Sequence, residues 1–361
     1  GQKRKKGITE MKIAYVLDDL DAAGGIQAVT RAKAAALAAI PGNEIMLVTA
    51  NDSRRTASSL PPGVKVVHLG VNYYEDDWKG FLYVLKGILV RRRRHAKALR
   101  KALDELRPDI VVSVGQSEKF MIPRLSRDKP WKTVREFHYS GTYRKDYARL
   151  QGGIRARVMA ALSDFYEFGL RRGTYDATVV LTRQDREENW KGRRGVHVIP
   201  NRCVWRPERV APLERPRAVA VGRLVPVKGF GLLVRAWEKV AAVHPDWKLE
   251  IWGDGPERGS LERLVRGKGL EKNVLLRGAT GEVQEKLLQS SMLVFPSLFE
   301  GFGMVLVEAM ACGVPCVAFE CPCGPRDVIS PEEDGLLVPP GDTDALARAI
   351  NEGVYARRPA V

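Results

Sequence analysis

"MLVFPSLFEGFGMVLVEAMACGVPCVAFE", residues 292–320, sets two short runs that are apolar on both faces, MLVFPS (292–297) and PCVAFE (315–320), around a longer segment opened by Gly301 and Gly303. Runs without alternation between faces read as strands covered on both sides. The joining segment has helical length, so the pattern is strand, helix, parallel strand. Glu300 and Glu308 stand inside this stretch. Glu300 falls in the loop, and Glu308 about one and a half turns into the helix. A carboxylate within MVLVEAMACG is costly unless it is paired or bound. It either accepts from Arg223 or from backbone donors, or it faces a ligand.

The same alternation runs through the chain from Met11. Strands are expected at KIAYVL (12–17), EIMLVTA (44–50), VKVVHL (64–69), DIVVSVG (109–115), KTVREFH (132–138), ATVVLT (177–182) and VHVIPN (196–201). Residues 200–218, with four prolines and no periodic apolar pattern, read as a linker. The alternation then restarts at AVAVGRL (218–224), KLEIWGDG (248–255), NVLLRG (273–278), MLVFPS, PCVAFE and GLLVPP (335–340). A chain of 361 residues exceeds the size at which one core stops growing. The expectation is an α/β protein of two doubly wound domains, 11–205 and 206–361, with ligands beyond the carboxyl ends of the strands.

Bulk composition narrows the function classes. No run of about 18 uncharged apolar residues reads as a membrane span, and GQKRKKGITE lacks the apolar stretch of a signal peptide. Cys203, Cys312, Cys316, Cys321 and Cys323 are odd in number, and reduced thiols in a cytoplasmic chain are the simple reading. A zinc site in CVAFECPC is the sharper alternative, against which Cys321 and Cys323 stand one residue apart rather than at paired zinc spacing. The formal charge of +16 gathers in Lys3 to Lys6, Arg91 to Arg94 and the RRG runs at Arg171 and Arg193, and calls for an anionic partner.

The polar residues fall on the expected strand ends. Gly24 and Gly25 precede a helix expected from about Gln27 to Ala39, where a ligand could approach the backbone or the chain could simply turn. His138 ends REFH, either as a structural histidine or as a cleft residue. In VGRLVPVKG, Arg223 and Lys228 sit five apart on a loop opening toward a helix. They suit a diphosphate, or form a solvated surface pair. IWGDGPERG places Gly253 and Gly255 in a turn, with Asp254 expected to cap the next helix. Phe302, Met304 and Val305 lie where Gly301 and Gly303 open the helix of the first stretch, whose unpaired N–H groups would face a phosphate or a sugar.

Together these residues resemble glycosyltransferase family 4, of GT-B fold. The motifs are the Gly-rich loop after the first strand, GRL…KG opening the second domain, and E-x7-E with EGFG and EAMACGVPCVA, over about Met11 to Asp344. The resemblance implies a retaining, metal-independent glycosyltransferase that uses a nucleotide-sugar co-substrate and no cofactor. Arg223 and Lys228 would bind the donor diphosphate, Glu300 the sugar hydroxyls and Glu308 the ribose hydroxyls. Backbone amides of Phe302 to Val305 would complete the phosphate cradle, with Gly25 approaching it and His138 beside the sugar. LLRGATG (275–281), with Gly278, would choose the base, for which UDP is favoured. Family members usually continue with further helices, so an end at Val361 implies a shortened C-terminal domain.

Residues 81–103, FLYVLKGILVRRRRHAKALRKAL, put Phe81, Val84, Leu85, Ile88 and Leu89 on one stripe ahead of a basic turn. This is either a packed helix with a solvated end or a segment that lies on an anionic membrane. The second reading suits a glycan or polyprenyl-linked acceptor in surface-polysaccharide synthesis, on the inner face of the cell membrane. A nucleotide-sugar epimerase of the same fold and a basic nucleic-acid-binding protein are the rivals. No aromatic-studded or zinc-finger motif supports nucleic acid, and E-x7-E with the Arg/Lys pair favours transfer.

Overall fold

The computed structural model describes residues 10–20, 24–51, 60, 63–71, 81–139, 154, 158, 161 and 175–355. Lys3 to Lys6, Arg171 and the side chains of residues 81–89 lie outside the described residues. The described chain divides into two compact units. One comprises residues up to His138 with 175–180 and 192–198, and the other Tyr139, 181–191 and 199–355.

The first unit is built on a parallel sheet. Its strands are β1 (Lys12–Leu17), β2 (Glu44–Thr49), β3 (Val64–His68), β4 (Ile110–Ser113), β5 (Lys132–Glu136), β6 (Ala177–Val180) and β7 (Val196–Val198), in spatial order β3-β2-β1-β4-β5-β6-β7. β1 is buried from Ile13 to Leu17, as its two-sided apolar pattern requires. Ile13, Tyr15, Leu17, Ile45 and Leu47 pack on one face of the sheet, and Ala14, Val16, Met46 and Val48 on the other. Helix α1 (Gly25–Ala38) follows β1, and α2 (Phe81–Leu106) precedes β4 and buries Leu99 and Leu103 against the second face.

The second unit repeats the plan. Strands β8 (Arg217–Val221), β9 (Lys248–Trp252), β10 (Val274–Gly278), β11 (Met292–Phe295), β12 (Cys316–Phe319) and β13 (Gly335–Val338) are parallel, in order β10-β9-β8-β11-β12-β13. Helix α3 (Arg183–Asn189) belongs to this unit by its contacts. Thr182 caps it through Asp185 N–H at 3.1 Å, and the Asp327 carboxylate accepts from Arg183 N–H at 2.7 Å. Helix α4 (Phe230–Val243) buries Phe230, Leu233, Val234, Trp237 and Val240, the three-and-four spacing of one helical face. Helices α5 (Arg258–Gly267), α6 (Met304–Ala311), α7 (Pro325–Val328) and α8 (Thr343–Tyr355) belong to the same unit.

In each sheet the strand order reverses beside the first strand, between β1 and β4 and between β8 and β11. Connections leave such a pair on opposite faces, so a crevice opens beyond the carboxyl ends there. The strands stop one to three residues short of several expected ends: His138, Thr182, Leu224, Gly255 and Ser297 all lie beyond the last ladder residue. The apolar runs continue past the ladder because the loop residues also pack inward, Leu224 and Phe137 among them.

Candidate functional site

In the second unit, the loops after β8 and β11 are pressed together by glycine. Gly229 has φ +65, and a Cβ there would stand 2.1 Å from the Pro296 carbonyl oxygen. Only a residue free to adopt this conformation lets the two loops meet. Leu298 N–H donates to the Val227 carbonyl at 2.8 Å across the same junction. Lys228, held in the turn Pro226–Lys228, therefore reaches Glu300: Nζ lies 2.5 Å from Oε1, with the side chains 21% and 11% exposed. The ammonium also sits 5.8 Å from the centre of the Phe295 ring.

Gly253 plays the same part between β8 and β9. Its φ is +151, and a Cβ would fall 1.8 Å from the Gly222 carbonyl oxygen. Gly253 N–H donates to Gly278 O at 2.8 Å, which draws the end of β10 into the same edge. Arg223, on the loop between, is exposed and makes no ion pair among the described residues. Asp254 does not cap α5. The N-cap residue is Glu257, and Asp254 Oδ1 instead accepts from the adjacent Gly255 N–H at 2.8 Å. Three residues, Gly255 to Glu257, separate Asp254 from the helix, too far for its short side chain to serve the first turn.

Helix α6 begins at Met304 with Gly303 as an N-cap that has no side chain to offer. Leu306 N–H bonds to Gly303 O at 2.9 Å, while Met304 and Val305 N–H groups have no acceptor among the described residues. Free donors at a helix start favour an anion. Phe302 is buried just before them and Gly301 is partly exposed. Glu308 is half-buried, and burial alone pushes its carboxyl upward. It has no partner among the described residues, so the reading of Glu308 as an acceptor for Arg223 or for backbone donors fails. The unit thus gathers Lys228, Glu300 and the α6 start at one place, with an unsatisfied carboxylate farther along the same helix.

Burial pushes the Cys312 thiol up to about 11 and the Cys321 thiol well above its ordinary value, the state of neutral buried thiols. Among the described residues no group of three or more His, Cys, Asp or Glu side chains is placed to hold a metal ion.

In the first unit, Gly24 is the N-cap of α1 and Gly25 its first residue, two residues earlier than the sequence suggests. His138 follows β5 with its side chain 3% exposed, and its Nε2 lies 3.2 Å from Oε2 of Glu136. Burial lowers the His138 pKa despite that contact. The Lys33 ammonium, from α1, reaches the same Glu136 oxygen at 2.9 Å.

Sequence reasoning missed Glu136 and Lys33, and also a buried network beside them. Asp18 accepts from Gln116 N–H and from Ser117, Ser113 donates to Glu118 at 2.8 Å, and Arg135 Nη1 lies 3.7 Å from Glu118. Burial pushes Glu118 up to about 7. The strand-end position of Asp18, right after β1, was the available signal.

Two family models match the chain. One, described as a glycosyl transferase 4-like domain, covers residues 24–202, and the other, glycosyl transferases group 1, covers 201–354. An exopolysaccharide phosphotransferase of Streptomyces coelicolor is 38% identical over 190 residues, half of this chain and 20% of that protein. A lipopolysaccharide 1,6-galactosyltransferase of Salmonella typhimurium is 28% identical over 286 residues, 74% of this chain and 71% of that one. The chain therefore spans only a fifth of the first relative's length. Among solved structures, HepE of Anabaena in complex with UDP-glucose has a similar fold, with TM-score 0.71 at 18% identity over 96% of this chain and 90% of that one.

Proposed function

This chain belongs to the group 1 glycosyl transferases of GT-B fold, and from that premise we propose that it moves a sugar from a UDP-sugar to a glycan or polyprenyl-linked acceptor in surface-polysaccharide assembly. One observation carries the reading: among the described residues Glu308 is a half-buried carboxylate without a partner, on the helix whose start holds N–H donors without acceptors beside Lys228 and Glu300. A carboxylate kept at that cost, with an anion site a turn away, suits a ligand with hydroxyls at one end and phosphates in the middle.

In this reading Arg223, Lys228 and the Met304 and Val305 amides neutralise the diphosphate from more than one direction. Glu308 accepts from the ribose hydroxyls and Glu300 from the donor sugar. Lys228 holds Glu300 in place until a phosphate competes for the ammonium. His138 serves the donor sugar. Transfer is retaining: the anomeric carbon–phosphate oxygen bond breaks, and the acceptor oxygen bonds on the same face. The departing phosphate takes the bonding electrons and then the acceptor's proton. Charge neutralisation by these groups needs no metal.

The acceptor side rests on α2. Arg92, Arg93 and Arg94 are exposed on this single 26-residue helix, and among the described residues no helix is long and apolar enough to cross a membrane. A basic helix face of that kind suits an anionic bilayer surface carrying a polyprenyl-linked acceptor. Transfer assays with UDP-, GDP- and ADP-sugars test the proposal. Glu300→Ala and Lys228→Ala should each abolish transfer with the fold intact, and full activity in both would overturn it.

A further inference from the structure

Glu136 is the last residue of β5 and His138 stands two residues on, in the bend that follows the strand, where its ring turns back to the Glu136 carboxylate. His138 Nε2 and Lys33 Nζ converge on one carboxylate oxygen, Oε2 of Glu136, at 3.2 and 2.9 Å. All three groups are largely out of water: the Glu136 and His138 side chains are 9% and 3% exposed and Lys33 is 19% exposed. Nδ1 of His138 has no partner among the described residues.

A carboxylate bound to one ring nitrogen decides which nitrogen carries the proton and which is left to accept. Here Nε2 must be the donor, because an ionised carboxylate only accepts. An unpaired carboxylate would also draw the ring toward imidazolium, and Lys33 offsets that pull. Burial pushes the Glu136 carboxyl up, but the His138 hydrogen bond and the Lys33 charge outweigh it and keep it ionised. Burial lowers His138, and the charges of Lys33 on α1 and Arg135 on β5 act in the same direction. Tyr15, facing Glu136 from β1, is raised by burial and by that carboxylate, so it stays a neutral phenol.

We propose that Glu136, anchored by Lys33, is a positioning residue that fixes His138 as the neutral Nε2–H tautomer, leaving Nδ1 as the nitrogen that accepts from a hydroxyl of the donor sugar. The proposal rests on the reading that places His138 at that sugar. It adds a specificity: the sugar must present a hydroxyl donor to Nδ1, and a deoxy sugar at that position would lose the bond. The lysine has a second effect, since it ties α1, which starts at Gly25, to the strand end that carries the histidine.

The test combines imidazole ¹⁵N spectra of the full chain with release of UDP from UDP-glucose, UDP-galactose and UDP-N-acetylglucosamine. The wild type should show a protonated Nε2 and a bare Nδ1 at neutral pH. Glu136→Ala should give mixed tautomers and lower kcat by at least about tenfold, the scale of losing a histidine's outer partner, with the KM for the donor within about twofold. Glu136→Gln, whose amide oxygen can still accept from Nε2, should restore the tautomer and most of the rate. An unfolded Glu136→Ala protein leaves the Gln variant and the wild-type spectrum to decide. A wild-type Nδ1–H tautomer or an imidazolium at neutral pH, or an unchanged tautomer and rate in Glu136→Ala, would overturn the proposal. Full UDP release by His138→Ala would instead overturn the underlying placement of His138, whatever Glu136 does.

Discussion

Lys228 Nζ lies 2.5 Å from Glu300 Oε1, joining the loop after β8 to the loop after β11 at the point where the strand order reverses. Two residues 72 positions apart thus share one site, and each is the other's only charge partner among the described residues. Lys228→Ala should leave Glu300 partly buried without a cation. The expected result is a loss of at least about 100-fold in kcat/KM, the scale of removing one preorganised charge from a developing anion. Stability should fall by only about 1–3 kcal/mol. Steady-state transfer kinetics alongside urea unfolding separate the two effects.

The junction beneath that pair is a backbone contact. Gly229→Ala should destabilise the protein by more than the roughly 1–2 kcal/mol of a left-handed alanine, since its Cβ would meet the Pro296 carbonyl at 2.1 Å. Gly231→Ala, two residues on in α4 with only the tip of Arg235 within 4 Å, should instead stabilise by about 0.4–1 kcal/mol. Equal midpoints for the two variants in urea would contradict the account of this loop.

Glu308 should trade stability for binding. Burial raises its folded pKa above the unfolded value, so the folded state holds the proton more tightly and the charged form costs stability. The favourable contribution is complete below the ordinary glutamate range, about 4.3, and is lost as pH rises through the raised folded pKa. Glu308→Gln should therefore be more stable than wild type at pH 7–8, by on the order of 1 kcal/mol, with the gap closing on acidification. The same variant should bind UDP more weakly. A pH series of thermal melts with and without UDP checks both signs.

The basic face of α2 should bind anionic vesicles. Changing Arg91 to Arg94 to Gln should remove up to about 1 kcal/mol of binding per arginine at low salt, and wild-type binding should weaken as salt is raised. Vesicle sedimentation measures it, and undiminished binding by the variant would count against the surface.

The strands were legible because their apolar pattern has two buried faces, which hardly any other element shows. Their ends were not, since Leu224 and Phe137 are as buried as ladder residues. Gly229 and Lys228 were legible as a glycine and a cation at a loop, yet nothing local reveals that the loop meets Pro296. The partnership of Glu136 with His138 was within reach, because the two stand only two residues apart at a strand end. Lys33 was not, because it comes from a helix 103 residues away. Asp327 at the start of α3 has the same character: it caps a helix 144 positions earlier, and only the folded chain brings them together.

The central claim, that Lys228, the α6 start and Glu308 form one nucleotide site, is tested most directly by calorimetric titration of UDP into wild type, Lys228→Ala and Glu308→Ala, with GDP and ADP as comparisons. UDP should bind the wild type in preference to GDP and ADP, and should bind each variant at least about tenfold more weakly, a loss of about 1.4 kcal/mol. Absence of binding by all three nucleotides, or equal UDP affinity in the three proteins, would contradict it.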